Sequence, residues 1–194
     1  MAAAARTLVL VEGLSDRAAV EALAVRRGVD LAAAGVSVLV IGGAHAIGRV
    51  LQRHGPHAGG ERLGGLVDAG EERHFQRALE RAGLGHGLDR EGLERLGFYV
   101  CVRDLEDELI RALGEDAVVE LVEQHGEIRP FRTFQKQPAQ RAVPLADQLH
   151  RFMGTHSGRK IAYGRFLVDA LDLARVPCPL DRVLAYAVSP GSTP

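Results

Sequence analysis

Cysteine is scarce in this chain of 194 residues: Cys101 and Cys178 are the only two, far apart and without C-x-x-C spacing. That excludes a zinc ribbon and a disulfide framework, and it suits a reducing compartment. A charge excess is missing too, since 24 basic side chains stand against 25 acidic ones for a formal net charge of −1. A global basic field of the kind that marks many nucleic-acid binders is therefore excluded, and any polyanion must be held by a local patch. Long apolar runs are also absent. The opening MAAAAR reaches Arg6 after five residues and the next run stops at Glu12, too short for a signal peptide or a membrane span. The expectation is a soluble cytoplasmic protein with no membrane partner.

What is present is an alternation of short β-branched runs with longer amphipathic ones over the first hundred residues. This is the pattern of strand and crossover helix in a mostly parallel sheet. Four runs qualify as strands: TLVLVEG at 7–13, VSVLVIGG at 36–43, RLGGLVDAG at 62–70 and GFYVCVRD at 97–104. Ser15 is expected to cap the helix that follows the first, with Ala19, Val20, Leu23 and Ala24 as its apolar face and Gly28 as its stop. From Asp104 onward the runs read as helices of modest length, interrupted by a loop-like stretch, GEIRPFRTFQKQP. The fold class is thus α/β, a mostly parallel four-stranded sheet flanked by helices, with a helical C-terminal extension. The division is expected at 1–112 and 113–194.

In such a sheet the ligand site lies outside the carboxyl ends of the strands. Glu12 and Asp16 follow the first strand, Asp68 ends the third with Glu71 and Glu72 just beyond, and Asp104, Glu106, Asp107 and Glu108 follow the fourth. Carboxylates gathered at one edge repel one another unless cations or protons intervene, so the pattern points to a site for hard divalent ions, Mg²⁺ or Mn²⁺. Two such ions could clamp a phosphodiester. For any single acid the alternative is simple complementation of a helix N-terminus, and Glu71, Glu72, Asp107 and Glu108 suit that role.

VEGLSD, followed about fifty residues later by LVDAG, resembles the toprim fold (Rossmann-like) shared by topoisomerases, bacterial primases and nucleases of the OLD (overcoming lysogenization defect) family. FYVCVRDLEDELIRALG and SGRKIAYGRFLVDALDLARVPCPLD resemble the C-terminal half of OLD-type nucleases, here in a stand-alone form. The resemblance implies metal-dependent cleavage of DNA. It implies that Glu12, Asp16, Asp68, Asp104 and Glu106 ligate two divalent ions, that Glu12 is catalytic, and that Lys160 stabilises charge developing on the phosphate. Two departures stand out. Many toprim proteins have D-x-D where this chain has Asp68, Ala69 and Gly70, and the ATPase domain usual in OLD proteins would have to come from a separate subunit. The alternative reading is a non-catalytic toprim-like module that binds metal or nucleic acid, or partners an ATPase, without cutting.

Other motifs carry less. GAHAIGRV at 43–50 has Walker A glycine spacing but Arg49 and Val50 where Lys and Ser or Thr are needed, so it reads as a strand-to-helix turn. His45, His54, His57 and His74 match no structural zinc pattern and read as solvated loop histidines. There is no G-x-S-x-G, and Cys101 within an apolar strand reads as a packed thiol. For nucleic-acid binding the candidates are Arg129, Arg132 and Lys136 around Phe131 and Phe134, together with Arg159 and Arg165. These could form a phosphate track with rings for stacking, or the phenylalanines could pack the two halves together.

Overall fold

The computed structural model describes residues 6–58 and 60–189. Four parallel strands, β1 (Thr7–Val11), β2 (Val36–Val40), β3 (Arg62–Asp68) and β4 (Phe98–Cys101), form one sheet in the order β2-β1-β3-β4. Side chains alternate between its faces. Leu8, Leu10, Leu63, Val67 and Phe98 bury one face beneath α2 (Ile47–His54), α3 (Glu72–Arg81) and α4 (Arg90–Arg95). Val9, Val11, Leu66, Tyr99 and Cys101 bury the other beneath α1 (Leu14–Arg26) and α10 (Cys178–Val188).

Outside α1 lie α5 (Leu105–Leu113), α6 (Glu115–Gln124), α7 (Ile128–Gln135), α8 (Leu145–Met153) and α9 (Ser157–Ala170). One hydrophobic cluster runs from Val9 through Leu109 and Phe131 to Ala187, so the core is continuous across residue 112. Among the described residues α1 packs most extensively against α9. Gly164 makes it possible, because a Cβ there would stand 2.4 Å from the Ser15 carbonyl oxygen. A second close approach places Tyr186 of α10 flat against β3 and its neighbour. A Cβ on Gly64 would meet its ring at 2.8 Å and one on Gly97 at 2.3 Å, while the Tyr186 hydroxyl donates to the Leu63 carbonyl at 3.0 Å.

Two local expectations change. Helix α1 begins at Leu14 with Gly13 as its N-cap, and Ser15 is buried in the first turn. The reason is Asp16, whose Oδ2 reaches back to accept from the Gly13 N–H at 2.8 Å and so sets the cap ahead of Ser15. The stretch expected as loop after Gly126 is helix α7: Phe131 and Phe134 share one buried face against Phe152, and Pro130 lies in the first turn, where it is tolerated. GAHAIGRV is the expected turn, a short 3-10 segment at 44–46 leading into α2.

A candidate metal centre at the carboxyl edge

All four strands run the same way, so their carboxyl ends share one edge. The chain leaves β1 for β2 on one side and later returns past it to β3 on the other, which makes the gap between β1 and β3 the switch point where α/β sheets bind ligands. Glu12 and Asp68 stand on either side of that gap. Asp104 is the N-cap of α5, with its Oδ1 accepting from the Asp107 N–H at 2.9 Å, and Glu106 follows in the first turn. Local rules thus place each acid: strand end, helix cap, first helical turn.

The electrostatics show that these groups act on one another. Burial, then the charges of Glu12, Asp16, Asp104 and Glu106, push the Asp68 carboxyl up to about 8. Burial followed by Glu106 raises Asp16 to about 6, against the opposing pull of the Gly13 N–H and Lys160. Glu12 is also raised, by burial and then by Glu71, and its Oε1 is buried without a hydrogen-bond partner. Glu106 is 3% exposed, and its Oε1 lies 3.1 Å from Lys160 Nζ in a close ionic contact outside hydrogen-bond alignment. Lys160 comes from α9, so the α1–α9 contact delivers an ammonium to this edge.

Asp104 departs from the others. Burial would raise it, but a hydrogen bond from His150 and another from the Asp107 N–H bring it below the ordinary carboxylate value. His150 Nε2 lies 2.6 Å from Asp104 Oδ2, and Arg103 Nη2 stands 3.5 Å from its Nδ1. A guanidinium can only donate, so Nδ1 is the acceptor and Nε2 carries the proton toward Asp104. Donor atoms of Asp104, Glu106 and His150 lie within 4.8 Å of one another. The donor set, carboxylate oxygens backed by one imidazole and including an orphaned buried oxygen, fits a hard divalent cation.

Residues 5–53 match the sequence model of the Overcoming lysogenization defect protein-like TOPRIM domain. That stretch, about a quarter of the chain, is similar to an OLD-like toprim domain. The fold is that of the C-terminal region of the Burkholderia pseudomallei OLD protein, with a TM-score of 0.74 at 20% identity over 95% of this chain and 97% of that one. The C-terminal region of the Xanthomonas campestris pv. campestris OLD protein gives a TM-score of 0.71 at 21% identity, over 95% and 92% of the respective chains. No curated protein shows significant similarity to the chain.

Against the usual toprim D-x-D, Gly70 stands exposed, and a Cβ added to it would meet no atom within 4 Å. Of the two nearby acids, Glu72 is held by Arg90 at 2.5 Å, whereas Glu71 acts on Glu12 and so is the one that adds negative charge to the acidic edge. Asp107 and Glu108 serve the helix. Asp107 pairs with Arg111 at 2.8 Å, and Glu108 accepts from the Val102 N–H at 2.8 Å. His150 escaped sequence reasoning because no spacing links it to Asp104; an apolar-faced helix with a histidine in its last turn was the only signal. Cys101 is buried in β4 and its thiol is pushed well up by burial and by Asp68.

The basic candidates scatter. Arg129, Arg132 and Lys136 are exposed on and after α7, but Phe131 and Phe134 are buried and so cannot stack on bases. Arg132 donates to Gln135 at 2.9 Å, and Arg165 pairs with Asp169 at 3.1 Å. Arg159 is structural. Its Nε sits 2.9 Å from Glu127, its guanidinium lies 4.1 Å over the Phe152 ring, and it also donates to Thr155. No helix among the described residues is long and apolar enough to cross a membrane.

Proposed function

We propose that the protein is a Mg²⁺- or Mn²⁺-dependent nuclease that hydrolyses DNA phosphodiester bonds, with two ions held by Glu12, Asp16, Asp68, Asp104 and Glu106. The observation that carries this reading is the convergence of five carboxylates on one sheet edge, with Asp68 pushed up to about 8 and Asp16 to about 6. Burial together with mutual repulsion makes these charges unfavourable to the fold, and divalent cations relieve that. When bound, such ions stabilise the attacking and leaving oxygens of an in-line displacement.

The chain's own groups divide the remaining work. The unpartnered Glu12 Oε1 is the proton acceptor for the attacking water, and its raised pKa strengthens it as a base. Lys160 Nζ keeps a half-exposed side chain, 46% accessible, and donates to a non-bridging phosphate oxygen. His150 and the Asp107 N–H together hold both oxygens of Asp104, leaving its remaining lone pairs aimed at the edge. Supercoiled plasmid incubated with Mg²⁺ or Mn²⁺ tests the reading: nicking is expected, EDTA abolishes it, and Glu12→Gln or Asp68→Asn reduces it by ~10²-fold or more. Full metal-dependent cleavage by both variants would show that the site lies elsewhere.

Gly70 favours a second reading, a non-catalytic module that binds metal and nucleic acid. Calorimetric uptake of Mn²⁺ by a wild-type protein that leaves plasmid intact would select it.

A further inference from the structure

On the sheet face opposite α1, a cavity of about 480 Å³ opens between α2 and α3, lined by His45, Gln52, His57, His74 and Arg81 above Leu51. It falls in the size range of small-ligand sites. The His45 and His74 rings meet edge to face, with centroids 4.8 Å apart and planes at 81°. His45 follows β2 and His74 follows β3 at the start of α3, so the mouth adjoins the acidic edge.

The surface around the cavity is basic. Arg49, Arg53, Arg73, Arg77 and Arg81 are all exposed, and among the described residues none of them is in an ion pair. Helix α2 contains no acid, and both acids of α3 are occupied, Glu72 by Arg90 at 2.5 Å and Glu80 by the Leu88 N–H at 2.8 Å. Arg73, Arg77 and Arg81 stand four residues apart, a row of cations at steps of about 6 Å along one side of the helix. The neighbouring row, His74 and Ala78, faces the cavity.

We propose that the α2–α3 face is the track by which a single DNA strand reaches the acidic edge, with its phosphates on Arg73, Arg77 and Arg81 and one unstacked base in the cavity against His45 and His74. The assignment rests on the nuclease reading for its substrate. Charge complementarity supplies the affinity for a polyanion, and the apolar floor with two imidazole rings supplies a stacking seat that a paired base cannot enter. The basic residues of α7 and α9 make a sparser surface: Arg159 and Arg165 are ion-paired and Arg132 donates to Gln135, which leaves Arg129 and Lys136.

Fluorescence anisotropy with a labelled single-stranded oligonucleotide in EDTA reads binding without cleavage. The Arg73→Ala/Arg77→Ala/Arg81→Ala variant should bind roughly tenfold or more weakly and with a salt slope shallower by about 2, given ~0.7 per phosphate contact on single strands. His74→Ala should cost about fivefold or more, the weak end of base stacking, and this loss should vanish on an abasic strand of the same length. Circular dichroism melts of both variants should match wild type, since the arginines are exposed. Unchanged affinity and slope in the triple variant, or a loss that appears instead in Arg129→Ala/Lys136→Ala, overturns the track. Equal binding of intact and abasic strands by wild type overturns the base seat. Metal-dependent plasmid nicking is measured separately. Nicking with no arginine effect refutes the track alone, and strand binding through these arginines without nicking refutes the nuclease reading alone.

Discussion

Asp68 ends β3 and Asp104 follows the neighbouring β4 as the cap of α5, yet their surroundings push them in opposite directions. Asp104 is held ionised by two donors, while burial and then four neighbouring carboxylates raise Asp68 to about 8. Removing the donor behind Asp104 should therefore weaken metal binding without touching a ligand: His150→Ala is expected to reduce Mn²⁺ affinity about 10- to 100-fold in isothermal titration calorimetry. Asp68→Asn should do something different. It removes the most strained charge, so in EDTA near pH 8 the variant should melt above wild type while binding Mn²⁺ poorly, a separation of stability from function that a structural acid would not show. At this scale the sequence was readable where a local rule applied. Glu12, Asp68 and Asp104 announce themselves by following apolar strands, whereas His150 meets Asp104 only through the packing of α8, a contact between residues 46 apart.

Among the elements, α1 and α9 decide the geometry of the site. Their contact at Gly164 and Ser15 sets Lys160, one turn earlier on α9, over Asp16 and Glu106, one of them on α1 and the other on α5. Gly164→Ala should force the helices apart, with a cost of about 1–3 kcal/mol seen in chemical denaturation, and should lower cleavage further than stability alone explains because Lys160 moves with the helix. The four strands and most helices were legible from period and punctuation. Helix α7 was not, because proline, arginine and threonine around two phenylalanines read as a linker until Phe152 supplies the surface that buries them. The basic residues named from the sequence and the row on α3 differ for a related reason: a row of charges in sequence says nothing of the acids that tertiary structure sets beside it. Glu127 takes Arg159, while Arg73, Arg77 and Arg81, dispersed in an ordinary amphipathic helix, are left open to solvent.

For the whole molecule, the clustered acids make stability depend on pH and on metal. A carboxyl whose folded pKa is raised, as for Asp68 and Asp16, leaves the fold unaffected below the unfolded value and weakens it as pH rises through the folded one. Asp104, with a lowered pKa, contributes in the opposite sense, and its share is lost only in acid as pH falls through its folded value. In EDTA the melting temperature should therefore decline between about pH 5 and pH 8, and Mg²⁺ or Mn²⁺ should restore it most at the alkaline end. For a chain of this size each ~1 kcal/mol corresponds to roughly 2–4 °C, and circular dichroism is the suitable probe because the chain has no tryptophan. A flat profile unaffected by metal would show that the acids do not share a site.

Tyr186 lies against a groove floored by Gly64 and Gly97, and with it the last described helix covers strands made from the first half of the chain. During synthesis that groove stays bare until α10 has left the ribosome. The sheet must wait, with apolar strand surface uncovered, until Val188 has emerged, so this fold closes as one unit and not segment by segment. Chains cut short before residue 178 should accordingly appear in cells as chaperone clients or inclusion bodies, even though every acid of the metal edge has already been made.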